Sequence, residues 1–147
     1  MPNWCSNHLT VKGEYEEVQR FKVKAVGHGP WDTPPADEKP SPLNFHSLVP
    51  IPEKILSQKY EDVGHDWEVA NWGCRSGASD AELIDDNGSE LFYGFDTPWA
   101  PPTKFLKHLG NLWPGLKFLL EYEEPGMGLK GMCKVHGNHY EDHRIEF

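Results

Sequence analysis

The chain has 147 residues, which fits one domain large enough to bury a core. Its formal net charge is −9, which argues against nucleic-acid binding through a cationic face, so we expect no direct nucleic-acid partner. No apolar run is long enough to span a membrane, and the N-terminus lacks the pattern of a signal peptide. Three widely spaced cysteines indicate a reducing compartment, so we expect a cytoplasmic protein without a membrane partner.

The first predicted elements are a strand and a helix. Residues 7–12 favour a short strand, which Gly13 ends. Residues 14–26 have apolar side chains at helical spacing. Acidic residues come early in this segment and basic residues late, as the helix dipole favours.

A long insertion follows this helix at residues 28–77. Its first part, residues 28–42, contains five of the 13 prolines and predicts a surface loop. We expect residues 43–49 to be extended, with Phe45 as a core anchor. Short helices are predicted at residues 53–57 and 62–71.

Two hairpins are predicted from turn residues. Residues 78–84 and 89–96 flank an Asn-Gly pair that tolerates the positive φ of a two-residue turn. Near the C-terminus, residues 129–136 and 139–147 flank Gly137 and Asn138. The second hairpin has two favourable cross-strand pairs. They are Lys134 with Glu141 and Val135 with Tyr140.

A strand–helix–strand unit organises the prediction. It comprises a strand at residues 89–96, a helix at 103–113 and a strand at 116–123, with a proline-rich segment at 97–102 ending the first strand. The strand's inward face has Leu91, Tyr93 and Phe95. The helix's apolar stripe has Phe105, Leu106, Leu109, Leu112 and Trp113. We expect the two strands to be parallel neighbours in one sheet, joined by a right-handed crossover.

The predicted order gives the fold class. It is α+β, a ferredoxin-like β-α-β-β-α-β sandwich with a long insertion after the first helix. A C-terminal β-hairpin at residues 128–147 extends the sheet. We expect a single domain over residues 1–147, with the insertion at 28–77.

Three motifs resemble a known family. They are PNWCSNHLTVKG at residues 2–13, NWG at 71–73 and FDTPWAPP at 95–102. Over most of its length the chain is similar to the YubB-like ferredoxin-like domain family of phages, prophages and conjugative plasmids. The resemblance implies a ferredoxin-like fold and a mobile-element origin in a bacterial host, with no established activity. Family members often continue after the second motif with Thr-Lys and a further Trp, whereas residues 74–77 are Cys-Arg-Ser-Gly here.

The predicted ligand-binding residues cluster around loop tryptophans. Aromatic rings on loops are stacking platforms for flat ligands, and they also pack loops onto small cores; both interpretations stay open. The first turn of the 103–113 helix is a second candidate, because helix N-termini bind anions. The full predicted set is Trp4, Asn71, Trp72, Asp96, Trp99 and Lys104.

The sequence gives little support for a metal site or a catalytic site. His136, His139 and Glu141 would share one face of the hairpin, but a solvated face explains them, so we predict no metal and no cofactor. Cys5 with a distant histidine is the one nucleophile pair considered, and no catalytic motif supports it. Whether the protein is an enzyme stays uncertain, leaning no, and no catalytic residue is predicted.

The leading functional expectation is a mobile-element accessory binding protein. It would sequester a small nucleotide-like ligand in counter-defence. The net charge of −9 supports an alternative, an acidic inhibitor of a host protein or a nucleic-acid mimic of a host defence factor. An uncharacterised enzyme is the third possibility.

Overall fold

The structure, a computed structural model, describes residues 2–31 and 37–147. Part of the predicted loop at 28–42 therefore lies outside the described residues. The strands are β1 (Trp4–Lys12), β2 (Ser79–Asp86), β3 (Glu90–Pro98), β4 (Lys117–Glu124), β5 (Leu129–His136) and β6 (His139–Glu146). The helices are α1 (Tyr15–Lys24), α2 (Phe45–Leu48), α3 (Glu53–Leu56), α4 (His65–Trp72) and α5 (Thr103–Leu112), with a π-helical turn at Tyr60–Gly64. None of the helices in these two described ranges combines the length and hydropathy needed to cross a bilayer.

The strands form one antiparallel sheet in the order β2-β3-β1-β4-β5-β6. This is a ferredoxin-like α+β fold, as the sequence predicts. Helices α1 and α5 pack on one face, where Phe21 of α1 contacts Tyr93 and Phe118 with ring centroids 6.5 and 5.6 Å apart. The opposite face presents exposed side chains such as His8 and Glu121. The core therefore lies between the sheet and one helical layer.

The expectation that β3 and β4 are neighbours is wrong. They run parallel to each other, but β1 lies between them and pairs antiparallel with both. The reason is burial, because Cys5, Leu9 and Val11 on alternate positions of β1 are fully buried. A strand with such a face is most stable at the centre of the sheet, beneath the helices.

Within the segment 43–49, which the sequence predicts to be extended, residues Phe45–Leu48 form helix α2. Asn44 caps α2, because its side-chain Oδ1 accepts a hydrogen bond from the Ser47 amide at 2.8 Å. Phe45 is nevertheless the predicted core anchor: it is buried and its ring stacks on Phe105 with centroids 3.8 Å apart. The local cap outweighs the extended pattern of the surrounding apolar residues.

Strand and helix ends near residue 100 differ slightly from prediction. β3 continues to Pro98. Proline is tolerated at the last position of a strand, because its missing N–H removes no hydrogen bond from the interior of the ladder. α5 begins at Thr103 with Pro102 at the N-cap position and no side-chain cap. Within its predicted stripe, Leu112 is 56% exposed, while Phe105, Leu106 and Leu109 are fully buried.

The predicted register of the C-terminal hairpin is confirmed, whereas the turn of the first hairpin differs from prediction. Lys134 lies opposite Glu141 and Val135 opposite Tyr140. In the first hairpin, the Asn87 amide donates to the Glu90 carbonyl, and Gly88 has a φ of 94°. Its turn is therefore shifted by one residue from the predicted Asn-Gly pair.

Candidate functional site

Two of the predicted tryptophans flank an open cleft at one end of the sheet. Trp4 begins β1 and lies opposite Pro98 in the β1–β3 ladder, and Trp99 follows directly. Their side chains are 43% and 46% exposed. The cleft between them, here called the tryptophan cleft, has a volume of about 560 Å³. Its other lining residues are Pro2, Arg75, Ser76, Ala78, Ser79 and Pro98.

Trp99 adopts a backbone conformation that bulky residues rarely occupy. Its φ is 69°, in the left-handed region. Such a residue costs on the order of 1–3 kcal/mol and persists only where neighbouring contacts hold it. The Trp99 amide donates to the Asn3 carbonyl at 2.8 Å, and the Ala100 amide donates to the Pro98 carbonyl at 2.9 Å. The fold therefore holds the Trp99 ring in an exposed position at a conformational cost.

A buried polar chain supports this loop from below. Asn7 is fully buried, and its Nδ2 donates to the Cys5 carbonyl at 3.1 Å and to Thr97 Oγ1 at 3.0 Å. Thr97 Oγ1 in turn donates to the Ala100 carbonyl at 2.7 Å. Asn7 thus has a structural role. It ties the start of β1 to the loop that presents Trp99.

Glu68 positions the opposite wall of the cleft. This side chain on α4 is buried, and its Oε1 accepts from the Ser76 amide at 2.9 Å and from the Tyr60 hydroxyl at 2.7 Å. Its Oε2 accepts from Trp31 Nε1 at 3.2 Å. Three donors thus compensate its burial. Glu68 also borders a larger cavity, of about 990 Å³, between the insertion and β2.

The chemistry of the tryptophan cleft suits a flat anionic ligand. Indole rings stack on planar groups, and the Arg75 guanidinium donates in a planar fork that matches phosphate or carboxylate. Ser76 and Ser79 add hydroxyl groups at the same cleft. The volume of about 560 Å³ lies within the range typical of small-molecule sites.

The remaining predicted residues do not line this cleft. Trp72 is only 2% exposed, and its Nε1 donates to the Val49 carbonyl at 3.2 Å. Asn71 Nδ2 donates to the Trp67 carbonyl of its own helix at 2.9 Å. Lys104 is exposed on the first turn of α5. The structure therefore brings together Trp4 and Trp99 from the predicted set and places these three elsewhere.

Asp96 lies on the face of β3 that carries no helix, outside the tryptophan cleft. Burial raises the pKa of its carboxyl, and nearby Asp80 raises it further, while His8 acts in the opposite direction. Asp96 does not line the cleft, although Ser79, which lies opposite it in the β2–β3 ladder, does. We therefore do not include it in the candidate site.

The first turn of α5 is covered by backbone. Gly73 has a φ of 87°, and a Cβ at that position would lie 3.3 Å from the amide nitrogens of both Thr103 and Lys104. This close approach is possible because Gly73 ends α4 in the left-handed conformation. The amides proposed to bind an anion are thus covered by the end of α4.

The histidine and cysteine candidates have simple environments. Glu141 lies between His139 and His143, with Nε2–carboxylate distances of 3.5 and 3.9 Å, all at the exposed edge of the sheet. No group of three or more His, Cys, Asp or Glu side chains in residues 2–31 and 37–147 could hold a metal ion. Burial raises the pKa of the Cys5 thiol to about 12, which makes it a poor nucleophile.

Sequence reasoning missed Arg75, Ser76, Ser79 and Glu68. The departure of residues 74–77 from the resembled family's pattern is the one signal that marks this stretch. It contains two of the residues that line the tryptophan cleft, Arg75 and Ser76. Glu68 carries no such signal, because an isolated glutamate in a helix is normally solvated.

Comparison with known proteins gives a family match and a similar solved structure. A family model described as "Ferredoxin-like domain in Api92-like protein" matches residues 71–146. Among solved structures, the crystal structure of a protein api92 from Yersinia pseudotuberculosis is similar, with a TM-score of 0.75 and 11% sequence identity. The similarity covers 100% of this chain and 98% of that chain. No curated protein matches the sequence. At this identity, the likeness to the solved structure concerns the fold alone.

Proposed function

This chain belongs to the family of ferredoxin-like domains in Api92-like proteins, whose description names no activity, so we propose its function from the residues on its own surface. The protein is a binding module, and its tryptophan cleft takes a small, flat, anionic ligand of the nucleotide class. The observation that carries this proposal is the pair of exposed indoles, Trp4 and Trp99, beside Arg75 at one cleft.

The strained backbone of Trp99 supports a binding role. Leaving 46% of a large aromatic residue exposed in a left-handed conformation forgoes much of the packing that could offset the cost of that conformation. Support from Asn3 and from the chain through Asn7 and Thr97 instead keeps the ring in place before any ligand arrives. Preorganisation of this kind reduces the entropy lost on binding.

The YubB-like resemblance supports a more specific role. Proteins of phages and conjugative plasmids act inside a bacterial host, where nucleotides serve as signals. In this proposal the protein sequesters such a signal and so counteracts host defence. The stoichiometry is then one ligand for each cleft, and no chemical change of the ligand is required.

Isothermal titration against nucleotide mono-, di- and triphosphates and cyclic dinucleotides tests the proposal. Trp99→Gly removes the ring and suits the positive φ at this position. Since stacking of one base on an aromatic ring contributes about 1–3 kcal/mol, this variant should weaken binding by about 5- to 150-fold. Leu112→Ala, at an exposed apolar residue distant from the cleft, is the matched control and should bind as the parent does.

Arg75→Gln separates charge recognition from stacking. It should weaken binding of phosphorylated ligands and leave affinity for the corresponding nucleoside unchanged. If no nucleotide binds, or if Trp99→Gly and Leu112→Ala bind equally well, the tryptophan cleft is not a nucleotide site.

A further inference from the structure

The sheet has two edge strands, and they differ in how they resist pairing with another chain. Two register shifts interrupt the pairing of β2 with β3, one after Ser79 and one after Leu83. Four of the eight β2 residues are acidic. Irregular pairing and like charge are both devices that keep an edge strand from pairing further.

The β6 edge lacks these devices. Its pairing with β5 is unbroken from His139, opposite His136, to Glu146, opposite Leu129. Its eight residues include no proline or glycine, and their charges are mixed. Ile145 and the adjoining Phe147 are 57% and 65% exposed. A regular, exposed strand of this length is a template for an additional strand.

The unpaired backbone groups of β6 can be identified. Phe147 donates its amide hydrogen to the Gly128 carbonyl, so the odd-numbered residues bond towards β5. Because hydrogen-bonded and non-hydrogen-bonded positions alternate, the even-numbered residues direct their N–H and C=O groups outwards. These outward residues are Tyr140, Asp142, Arg144 and Glu146.

We propose that β6 pairs antiparallel with β6 of a second copy of this chain, giving a continuous twelve-stranded sheet across a twofold axis at His143. A twofold axis perpendicular to the sheet places residues of the same face opposite each other. With His143 on the axis, Asp142 lies opposite Arg144 of the second copy, and the pair occurs twice.

Charge selects this register over its nearest alternative. If Asp142 were on the axis, it would lie opposite Asp142 of the second copy, and like charges directly opposite are unfavourable. Asp142 and Arg144 already bond within one chain, at 2.9 Å between Arg144 Nη2 and Asp142 Oδ2. The His143 register therefore combines two such pairs into one network of alternating charge.

Two matched substitutions test the pairing. His143→Asp places a carboxylate opposite its own copy on the axis, whereas His139→Asp makes the same charge change opposite Phe147. Both histidines are exposed and each lies within 4.0 Å of Glu141, so the effects within one chain are matched. Sedimentation equilibrium of the full chain should show a dimer that His143→Asp weakens by up to about fivefold, with a smaller effect of His139→Asp.

Cross-linking tests the register directly. In a non-hydrogen-bonded antiparallel pair the Cα atoms are about 4.5 Å apart, within disulfide range. His143→Cys should therefore form a disulfide-linked dimer on oxidation. His139→Cys should not, because residue 139 and its copy are separated by roughly 27 Å along the strands. The three native cysteines are buried and do not compete. A parent chain that stays monomeric at every concentration, equal effects of the two Asp variants, or cross-linking through residue 139 would each overturn the proposal.

Discussion

The Tyr122 hydroxyl on β4 donates a 2.6 Å hydrogen bond to Asp142 on β6, passing over Gly131 of the intervening strand β5. A Cβ at residue 131 would lie 2.5 Å from the Tyr122 oxygen, so the glycine makes the contact possible. Burial raises the pKa of the Tyr122 hydroxyl, and the bond to Asp142 raises it further, which keeps the group a donor at neutral pH. The contact orients the edge strand relative to the body of the sheet.

Tyr122→Phe removes this bond and leaves the Asp142 carboxylate with one fewer donor. Since a hydrogen bond to a charged group contributes about 1.5–3 kcal/mol, we expect the free energy of unfolding to fall by about that amount. Urea denaturation monitored by circular dichroism measures it. Tyr15→Phe, at a residue that is 61% exposed, is the control and should leave stability unchanged. Equal stability of both variants would show that the bond contributes nothing.

Glu68→Gln replaces an acceptor of three hydrogen bonds with a group that must turn its NH₂ towards one of the donors. We expect a loss of about 2–4 kcal/mol in the free energy of unfolding, because a buried donor loses its partner. The matched variant Glu61→Gln lies in the exposed π-helical turn and should change stability by less than about 0.5 kcal/mol. The prediction fails if Glu68→Gln unfolds at the same urea concentration as the parent.

His46 gives the fold a dependence on pH. Its Nδ1 accepts a hydrogen bond from the Ile51 amide at 3.0 Å, which requires the neutral ring, and burial lowers its pKa from 6.5. The unfolded state therefore binds its proton first as the pH falls. The contribution of His46 to the free energy of unfolding is fully present above pH 6.5 and is lost progressively as the pH falls below it.

His46→Asn tests this contribution, because Oδ1 of asparagine can replace Nδ1 as the acceptor without titrating. Stability measured between pH 7.5 and 5 should fall less steeply in this variant than in the parent. His136→Asn, at an exposed residue of β5, should keep the parent's slope. A slope unchanged by His46→Asn would refute the assignment.

The sequence predicts most elements because their determinants are local. Alternating apolar residues and turn glycines define the strands and both hairpins, including the pairing of Val135 with Tyr140. Which strands lie beside β3 cannot be predicted from the residues of β3 itself. No pattern within residues 89–123 shows that the strand from the start of the chain occupies the centre. That placement depends on the total area buried beneath α1 and α5.

The candidate site is only half predictable for a similar reason. Trp72 and Trp99 both stand beside small or turn-forming residues, so the local pattern does not distinguish them. Phe45 and Trp67 pack against Trp72 at centroid distances of 5.5 and 5.6 Å, whereas Trp99 remains exposed. Arg75 reaches the tryptophan cleft because β1, β3 and the loop after α4 converge there. Only the tertiary structure contains that information.

The central position of β1 also constrains how the protein is made. This strand is translated before both of its partners, β3 and β4, which belong to later parts of the sequence, and β4 ends at Glu124. The nascent chain therefore contains β1 as an apolar strand without hydrogen-bonded neighbours until β3 and β4 have been translated. The sheet therefore assembles late and cooperatively, through contacts between residues far apart in the sequence, which is typical of slower-folding topologies.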